Sequence, residues 1–575
     1  MSTSIIPSRR FALRLAGALS LPLIFAAGVE VHAQPKAKAK PTPPASSTAA
    51  YENLLKEAYP QNGPGAAVIV VKDGKTLFRQ AQGMASIELG VPLQPDMVFR
   101  LGSITKQFTA AAILLLAEDG KLNVQDRIEK HLPGYPTHGH TITIEHLLTH
   151  TSGIQSYTAI PGWMTEKIIA PMKVQELIDG FKKEPMNFAP GERYLYNNSA
   201  YILLGAIIER VAGKSYEVFV KERIFTPLGM ASSYYGNTEP IIPRRTPGYT
   251  AEGDQVQNAR YISMTQPYAA GSLASTVDDL AKWDMALASG KVLTQASLDQ
   301  ARKPYVLKNG ESTGYGYGWV SSTVRGRQSV EHGGGIHGFS TYAISLPADR
   351  VYVAVLANSD APATDPGFLA RKFVALAAGN PFPERAEVKL DTAVLKRYAG
   401  VYRVDANTTR TVLFEDGRLY TQRSGGQRLA LRPSSETEFF YDKSFTHLKF
   451  VVDASGKVTE MIMYPEGALK GEPAARLADA PVARPVAKVD PALYDAYVGD
   501  YELGPNFVLV VSREGDRLMT QATGQSKVEV FPSSETEFFL KVVEARIVFV
   551  KDSSGAAEAL VLHQGGREMR APKKK

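Results

Sequence analysis

An α+β domain followed by two copies of an all-β unit is the fold class that this 575-residue sequence predicts. Three observations predict it. Strand signals sit at both ends of residues 51–382, with a long and mostly helical stretch between them. Beyond about residue 385 the pattern changes to short alternating strands. That later region also repeats itself without a gap, at a constant offset of 99 residues.

In chain order, residues 1–33 read as an export signal. Arg9, Arg10 and Arg14 precede an apolar run, and Val31-His32-Ala33 offers a small-residue cleavage pattern. Ser8-Arg9-Arg10 resembles a twin-arginine signal, with Phe11 one place early. The run, interrupted by Gly17, Pro22 and Gly28, is too short to prefer spanning a membrane. Exported protein in a bacterial periplasm or outside the cell is expected, without a stable span once the signal is removed. Residues 34–50 are Pro, Lys, Ala, Thr and Ser, which build no core and suit a flexible tether.

In the first domain, residues 66–71 and 75–80 flank Asp73-Gly74 as a β-hairpin. Residues 103–118 form an apolar run with helical spacing, and a second apolar helix begins near Ala200 after the turn Pro190-Gly191. A late hairpin joins residues 341–346 and 351–357. Early and late strands then form one sheet, with the helices inserted between them. In the region beyond, Tyr398-Ala399-Gly400-Val401-Tyr402 corresponds to Tyr497-Val498-Gly499-Asp500-Tyr501, and PSSETEFF at 433–440 recurs at 532–539. Two small β-barrels are expected, over residues 388–485 and 488–575.

Composition narrows the function. With 44% hydrophobic and 21% charged residues, the chain is globular. Its formal charge of +7 sits at the ends: residues 1–50 carry a net +5 and Lys573-Lys574-Lys575 a further +3, leaving −1 for the rest. A nucleic-acid partner therefore has no electrostatic basis. Zero cysteines exclude disulfides and thiol chemistry.

Chemistry concentrates at Ser103-Ile104-Thr105-Lys106. A serine and a lysine three apart share one helix face, and the serine lies where unpaired N–H groups favour negative charge. A lysine kept neutral can take the hydroxyl proton. Taken alone, the pattern is better read as a capping serine and a solvated lysine. Four further segments follow in order: Leu147-Leu148-Thr149-His150-Thr151-Ser152-Gly153, Tyr196-Asn197-Asn198, Gly271-Ser272-Leu273-Ala274-Ser275-Thr276 with Asp279-Leu280 and Trp283, and His332-Gly333-Gly334. Together these motifs resemble the penicillin-recognising serine hydrolases: class C β-lactamases, DD-carboxypeptidases, D-aminopeptidases and related esterases. The resemblance spans residues 51–380 and implies a β-lactamase/transpeptidase-like domain, an antiparallel sheet flanked by helices with the site at their junction. D-aminopeptidases of this type also end in two lipocalin-like barrels, for which packing or shielding is the plain role.

By that resemblance Ser103 attacks a carbonyl to form an acyl-enzyme. Lys106 takes its proton directly or through Tyr196, and Tyr196 protonates the leaving group. Asn198 holds the lysine and the substrate amide, and the N–H groups of Ser103 and Gly335 meet the oxyanion, with Gly334 letting substrate approach the strand. His332 stands where many relatives carry lysine and would be a weaker, pH-dependent cation for a substrate carboxylate. It suits D-aminopeptidases and esterases better than β-lactamases. The expected substrate is a small peptide, amide or ester, and no cofactor is implied.

Three rivals remain. His131, His138, His140, His146 and His150 cluster, yet without a metal-ligand spacing or carboxylate partner, so no metal is expected. A G-x-S-x-G occurs at Gly310-Glu311-Ser312-Thr313-Gly314, but no apolar helical run follows it, which disfavours the strand–turn–helix elbow of an α/β-hydrolase. A sensor that acylates and stops would keep Ser103 and Lys106.

Overall fold

A computed structural model describes residues 48–574, apart from 254, 407, 425, 480–485, 505–506, 554 and 565–566. The expected signal and most of the tether lie outside these residues. Residues 48–50, assigned to the tether, instead form the first turn of α1 (Thr48–Ala58), because Tyr51 and Leu55 anchor this helix in the core.

The first domain is built on a six-stranded antiparallel sheet. Its strands are β1 (Ala66–Lys72), β2 (Lys75–Gln82), β3 (Val320–Val324), β4 (Arg327–Ile336), β5 (Phe339–Leu346) and β6 (Val351–Ala357), in the spatial order β3-β4-β5-β6-β1-β2. The late strand β6 pairs with the early strand β1 from Ala66↔Ala357 to Lys72↔Val351, so both ends of the domain close one sheet. These central strands are buried on both faces, which explains their unbroken Val/Ile/Ala composition. Along β1, Ala66, Val68 and Val70 face one core while Ala67, Ile69 and Val71 face the other.

One face carries α1 and the late helix α5 (Pro366–Ala377), where Tyr51, Phe78 and Phe373 stack 5.6 to 5.8 Å apart. The other face carries the helical insertion, centred on α2 (Thr105–Glu118) and α3 (Asn198–Ala212) and joined by α4 (Val277–Ala288). α2 buries all twelve residues from Thr105 to Leu116. A helix apolar nearly all round fits a central position, packed on every side.

The second region is two eight-stranded antiparallel units. The first is a closed barrel whose strands run from Gly400–Arg403 to Glu472–Ala478; the second runs from Gly499–Gly504 to Arg567–Pro572, with the bridge Tyr501↔Lys573 drawing its ends together. The sequence repeat is a structural repeat. The Tyr402 hydroxyl donates to the Tyr398 carbonyl at 2.8 Å, as Tyr501 does to Tyr497 at 2.8 Å. The rings of Tyr398 and Phe450 stack at 4.4 Å, and those of Tyr497 and Phe549 at 4.2 Å.

Candidate active site

Ser103 sits in a single 3₁₀ turn, Gly102–Ile104, that leads into α2. Two strands pin this turn. The Leu101 N–H donates to the Leu273 carbonyl at 2.8 Å, and the Thr341 hydroxyl of β5 donates to the Leu101 carbonyl at 2.7 Å. Close approach to β4 dictates the glycines. Gly102 has φ +54°, and a Cβ there would lie 2.9 Å from the Gly335 nitrogen; one on Gly334 would lie 2.0 Å from the Leu101 carbonyl oxygen. The turn bearing Ser103 therefore rests directly on the glycine run of β4.

One turn into α2, Lys106 is wholly buried. Its Nζ lies 3.0 Å from Ser103 Oγ, 2.9 Å from Asn198 Oδ1 and 2.8 Å from the Ala270 carbonyl. The rings of Tyr196 and Tyr201 flank it at 4.8 and 5.3 Å. Among the described residues no carboxylate pairs with it, and burial drives the ammonium well below its ordinary range and favours the neutral amine. An amine has two N–H groups and one lone pair. The amide oxygen and the carbonyl accept the two N–H groups, and the lone pair is left facing the Ser103 hydroxyl.

Asn198 is the first residue of α3, and its neighbour Asn197 caps that helix, accepting from the Ala200 N–H at 3.0 Å. Asn198 Nδ2 donates to the Thr158 hydroxyl at 3.2 Å, which fixes Oδ1 toward Lys106. Tyr196 packs over Lys106, with a buried hydroxyl beside Ser103 that has no partner at hydrogen-bond distance among the described residues. Burial raises this phenol well above its usual range, opposed by the neighbouring Ser103 hydroxyl. Tyr196 is therefore protonated beside the nucleophile, with its oxygen uncommitted.

His332 is corrected by the structure. It is 4% exposed, its Nε2 lies 2.8 Å from the Tyr315 hydroxyl, and its Nδ1 lies 2.5 Å from the Gly333 carbonyl. A carbonyl only accepts, so Nδ1 carries the proton and Nε2 accepts from Tyr315. Burial, helped by Lys106, pushes its pKa down to about 3. It is a neutral packing partner of Tyr196, at 6.2 Å between rings, and not a cation for a carboxylate. Gly335, in contrast, is exposed, and a Cβ there would meet nothing within 4 Å.

The remaining histidines have local duties. His131 pairs with Asp126 at 2.9 Å, and His146 closes a capping box with Thr143. His150 accepts the Asn197 N–H at 3.0 Å and packs 4.2 Å from the Tyr196 ring, supporting the phenol from below. Among the described residues no group of three or more His, Asp or Glu side chains is arranged to hold a metal.

Three contributors were not read from the sequence. The Ala270 carbonyl immediately precedes the Gly271 signature, and a backbone acceptor leaves no residue-type signal. Tyr315, within Gly314-Tyr315-Gly316-Tyr317-Gly318-Trp319, had a visible aromatic-glycine pattern but no partner to suggest its role. Thr158 acts only through Asn198.

Residues 52–378 match the Beta-lactamase family, and residues 384–477 and 483–572 each match a domain of unknown function, DUF3471. The chain is 33% identical over 439 residues to Penicillin-binding protein 4* of Bacillus subtilis, covering 72% of this chain and 95% of that one. It is 27% identical to a D-aminopeptidase of Gluconobacter oxydans, over 58% of this chain and 63% of that protein. Among solved structures, the octameric penicillin-binding protein homologue from Pyrococcus abyssi superposes with TM-score 0.52 at 26% identity, covering 74% of this chain and 98% of that one. The D-amino acid amidase from Ochrobactrum anthropi SV3, complexed with L-phenylalanine amide, superposes with TM-score 0.50 at 25% identity, covering 57% and 96%.

Proposed function

Because the chain belongs to the β-lactamase family of serine hydrolases, we propose that it hydrolyses small amides or esters through an acyl-enzyme on Ser103, with D-amino-acid peptides and amides as its preferred class. One observation carries the chemistry: the Nζ of a buried Lys106, whose ammonium burial drives well below its ordinary range, lies 3.0 Å from Ser103 Oγ. As Ser103 Oγ bonds to the carbonyl carbon, its proton passes to Lys106 Nζ. The carbonyl oxygen becomes an oxyanion held by the N–H groups of Ser103 and Gly335. When the C–N or C–O bond breaks, Tyr196 gives its proton to the leaving group and is reprotonated from Lys106. Water then attacks the ester, losing its proton along the same route and returning Ser103 to its hydroxyl form.

The substrate preference rests on His332, whose neutral ring offers no charge to the carboxylate of a β-lactam or a peptide C-terminus. It also rests on the D-aminopeptidase and D-amino acid amidase among the similar proteins. A second reading, a penicillin-binding DD-peptidase, is favoured by the 33% identity to Penicillin-binding protein 4*. Parallel assays on D-alanyl amides, p-nitrophenyl esters and nitrocefin separate the readings. Turnover of the amides and esters far above nitrocefin supports the first, and the reverse order overturns it. A single stoichiometric burst without turnover would identify a sensor. The residue 1–33 pattern supports export with cleavage, tested by cell fractionation and N-terminal sequencing; protein confined to the cytoplasm argues against export, and residues 1–33 retained outside it argue against cleavage.

A further inference from the structure

Past the oxyanion end of β4 lie two arginines and a histidine that the hydrolytic machinery does not use. Strand β3 stops opposite Glu331, its last partner being Val320, so β3 does not cover the segment from His332 to Ile336. Tyr196, which serves the leaving group, packs at the His332 end of this segment. A carbonyl whose oxygen points between Ser103 and Gly335 must then send its acyl chain the other way, past Gly335 toward His337.

Three residues are carried near one another there by the β4–β5 turn and its contacts. The Arg100 guanidinium, three residues before the nucleophile, lies 5.8 Å from the ring of Phe339, just beyond the β4–β5 turn. That turn is pressed on the hairpin of residues 249–258: a Cβ on Gly338 would lie 2.6 Å from Gly248 Cα and 2.8 Å from Ala259 Cβ. The contact brings Ala259, the neighbour of Arg260, against the turn that carries His337. Burial, followed by the fields of Arg100 and Arg260, lowers the His337 imidazolium, while Asp360 opposes them. Asp360 already accepts the Gly338 N–H at 2.7 Å. The other nearby arginines are committed, Arg244 to Asp96 at 2.6 Å and Arg245 to the Asn237 carbonyl at 3.0 Å. Among the described residues, neither Arg100 nor the exposed Arg260 has a hydrogen-bond or ion-pair partner.

We propose that Arg100, Arg260 and His337 form a subsite for an anionic group on the acyl side of the substrate, so that the enzyme prefers acyl groups ending in a carboxylate. This rests on the acyl-transfer reading alone, and not on the preference for D-amino acids, whose α-ammonium these arginines would not favour. A half-buried guanidinium without a counter-ion keeps its field and its paired N–H donors for a planar carboxylate.

The test uses p-nitrophenyl hemiesters of succinate, glutarate and adipate, each against its methyl ester, which differs only by the charge. At least one chain length is expected to show kcat/KM about tenfold higher than its methyl ester, in line with one charge-assisted contact. That ratio should fall with added sodium chloride. Arg260→Gln, on the surface, should cut the ratio about threefold, and Arg100→Gln should remove it. Equal rates for all three pairs, or a preference that Arg260→Gln and Arg100→Gln both leave intact, would overturn the subsite while leaving acyl transfer standing. Turnover of neither ester type would overturn the acyl-transfer reading and the subsite with it.

Discussion

Lys106 is an ionisable group whose charged form the fold disfavours, and this has a cost that can be measured. In the unfolded chain a lysine is protonated below about pH 10.4. In the folded protein burial favours the free amine. Between the lowered folded pKa and the unfolded one the unfolded state therefore binds more protons, and stability rises with pH there by up to about 1.4 kcal/mol per unit. Lys106→Met should abolish acyl transfer and remove this slope, as read from urea unfolding at several pH values. His332 acts at the other end of the scale. Its folded pKa of about 3 lies below the unfolded value near 6.5, so stability is lost as pH falls between them. His332→Gln should flatten that acid limb by up to about 1.4 kcal/mol per unit, and an unchanged limb would contradict a buried neutral imidazole.

At the scale of elements, the site is a junction between the start of α2 and the glycine run of β4, and the two central glycines have different tasks. Gly334→Ala drives a methyl group into the Leu101 carbonyl, and should cost about 3 kcal/mol or more in denaturant unfolding. Gly335→Ala meets open space, and should change stability by less than about 1 kcal/mol yet slow ester hydrolysis about tenfold by crowding the oxyanion side. Comparable stability losses for both would mean that Gly335 is packed and not part of the cleft. This junction shows why part of the site was legible in the sequence. Ser103, Lys106, Tyr196 and Asn198 declare themselves through residue type and spacing, and the hairpins at both ends of the domain through alternation around turn residues. What stayed hidden depends on neighbours remote in the chain. The second and third partners of Lys106 Nζ lie 92 and 164 residues away, and one is a backbone carbonyl. His332 looked like a surface cation because the residues that bury it are not adjacent to it. The start of α1 was missed because Thr48 to Ala50 are polar or small, and only Tyr51 and Leu55 beyond them fix the helix.

Over the whole molecule, the first barrel is joined to the hydrolase domain by an aromatic seam. Phe445 stacks on Phe382 at 3.8 Å and on Phe368 of α5 at 4.4 Å, and Lys443 donates to the Ala363 carbonyl at 3.1 Å. The two barrels meet through the Arg428 N–H donating to the Val542 carbonyl at 2.9 Å and through Lys541 on Glu415 at 3.1 Å. Tyr398, Tyr402, Phe439 and Phe450 fill the first barrel, and their counterparts the second, which suits modules that pack against their neighbours. Phe445→Ala should cost about 3 kcal/mol of stability while leaving ester kcat within about twofold, because the seam is remote from Ser103. A large fall in kcat with stability intact would assign the barrel a part in catalysis. The central claim, a neutral buried lysine as the base for Ser103, is tested most directly by the single-turnover rate of Ser103 acylation by a p-nitrophenyl ester as a function of pH. The account predicts a rate already at its plateau near neutral pH, with an acid limb whose midpoint lies far below that of a free lysine. A rate that climbs about tenfold per pH unit up to pH 10 would show a protonated Lys106 and contradict it.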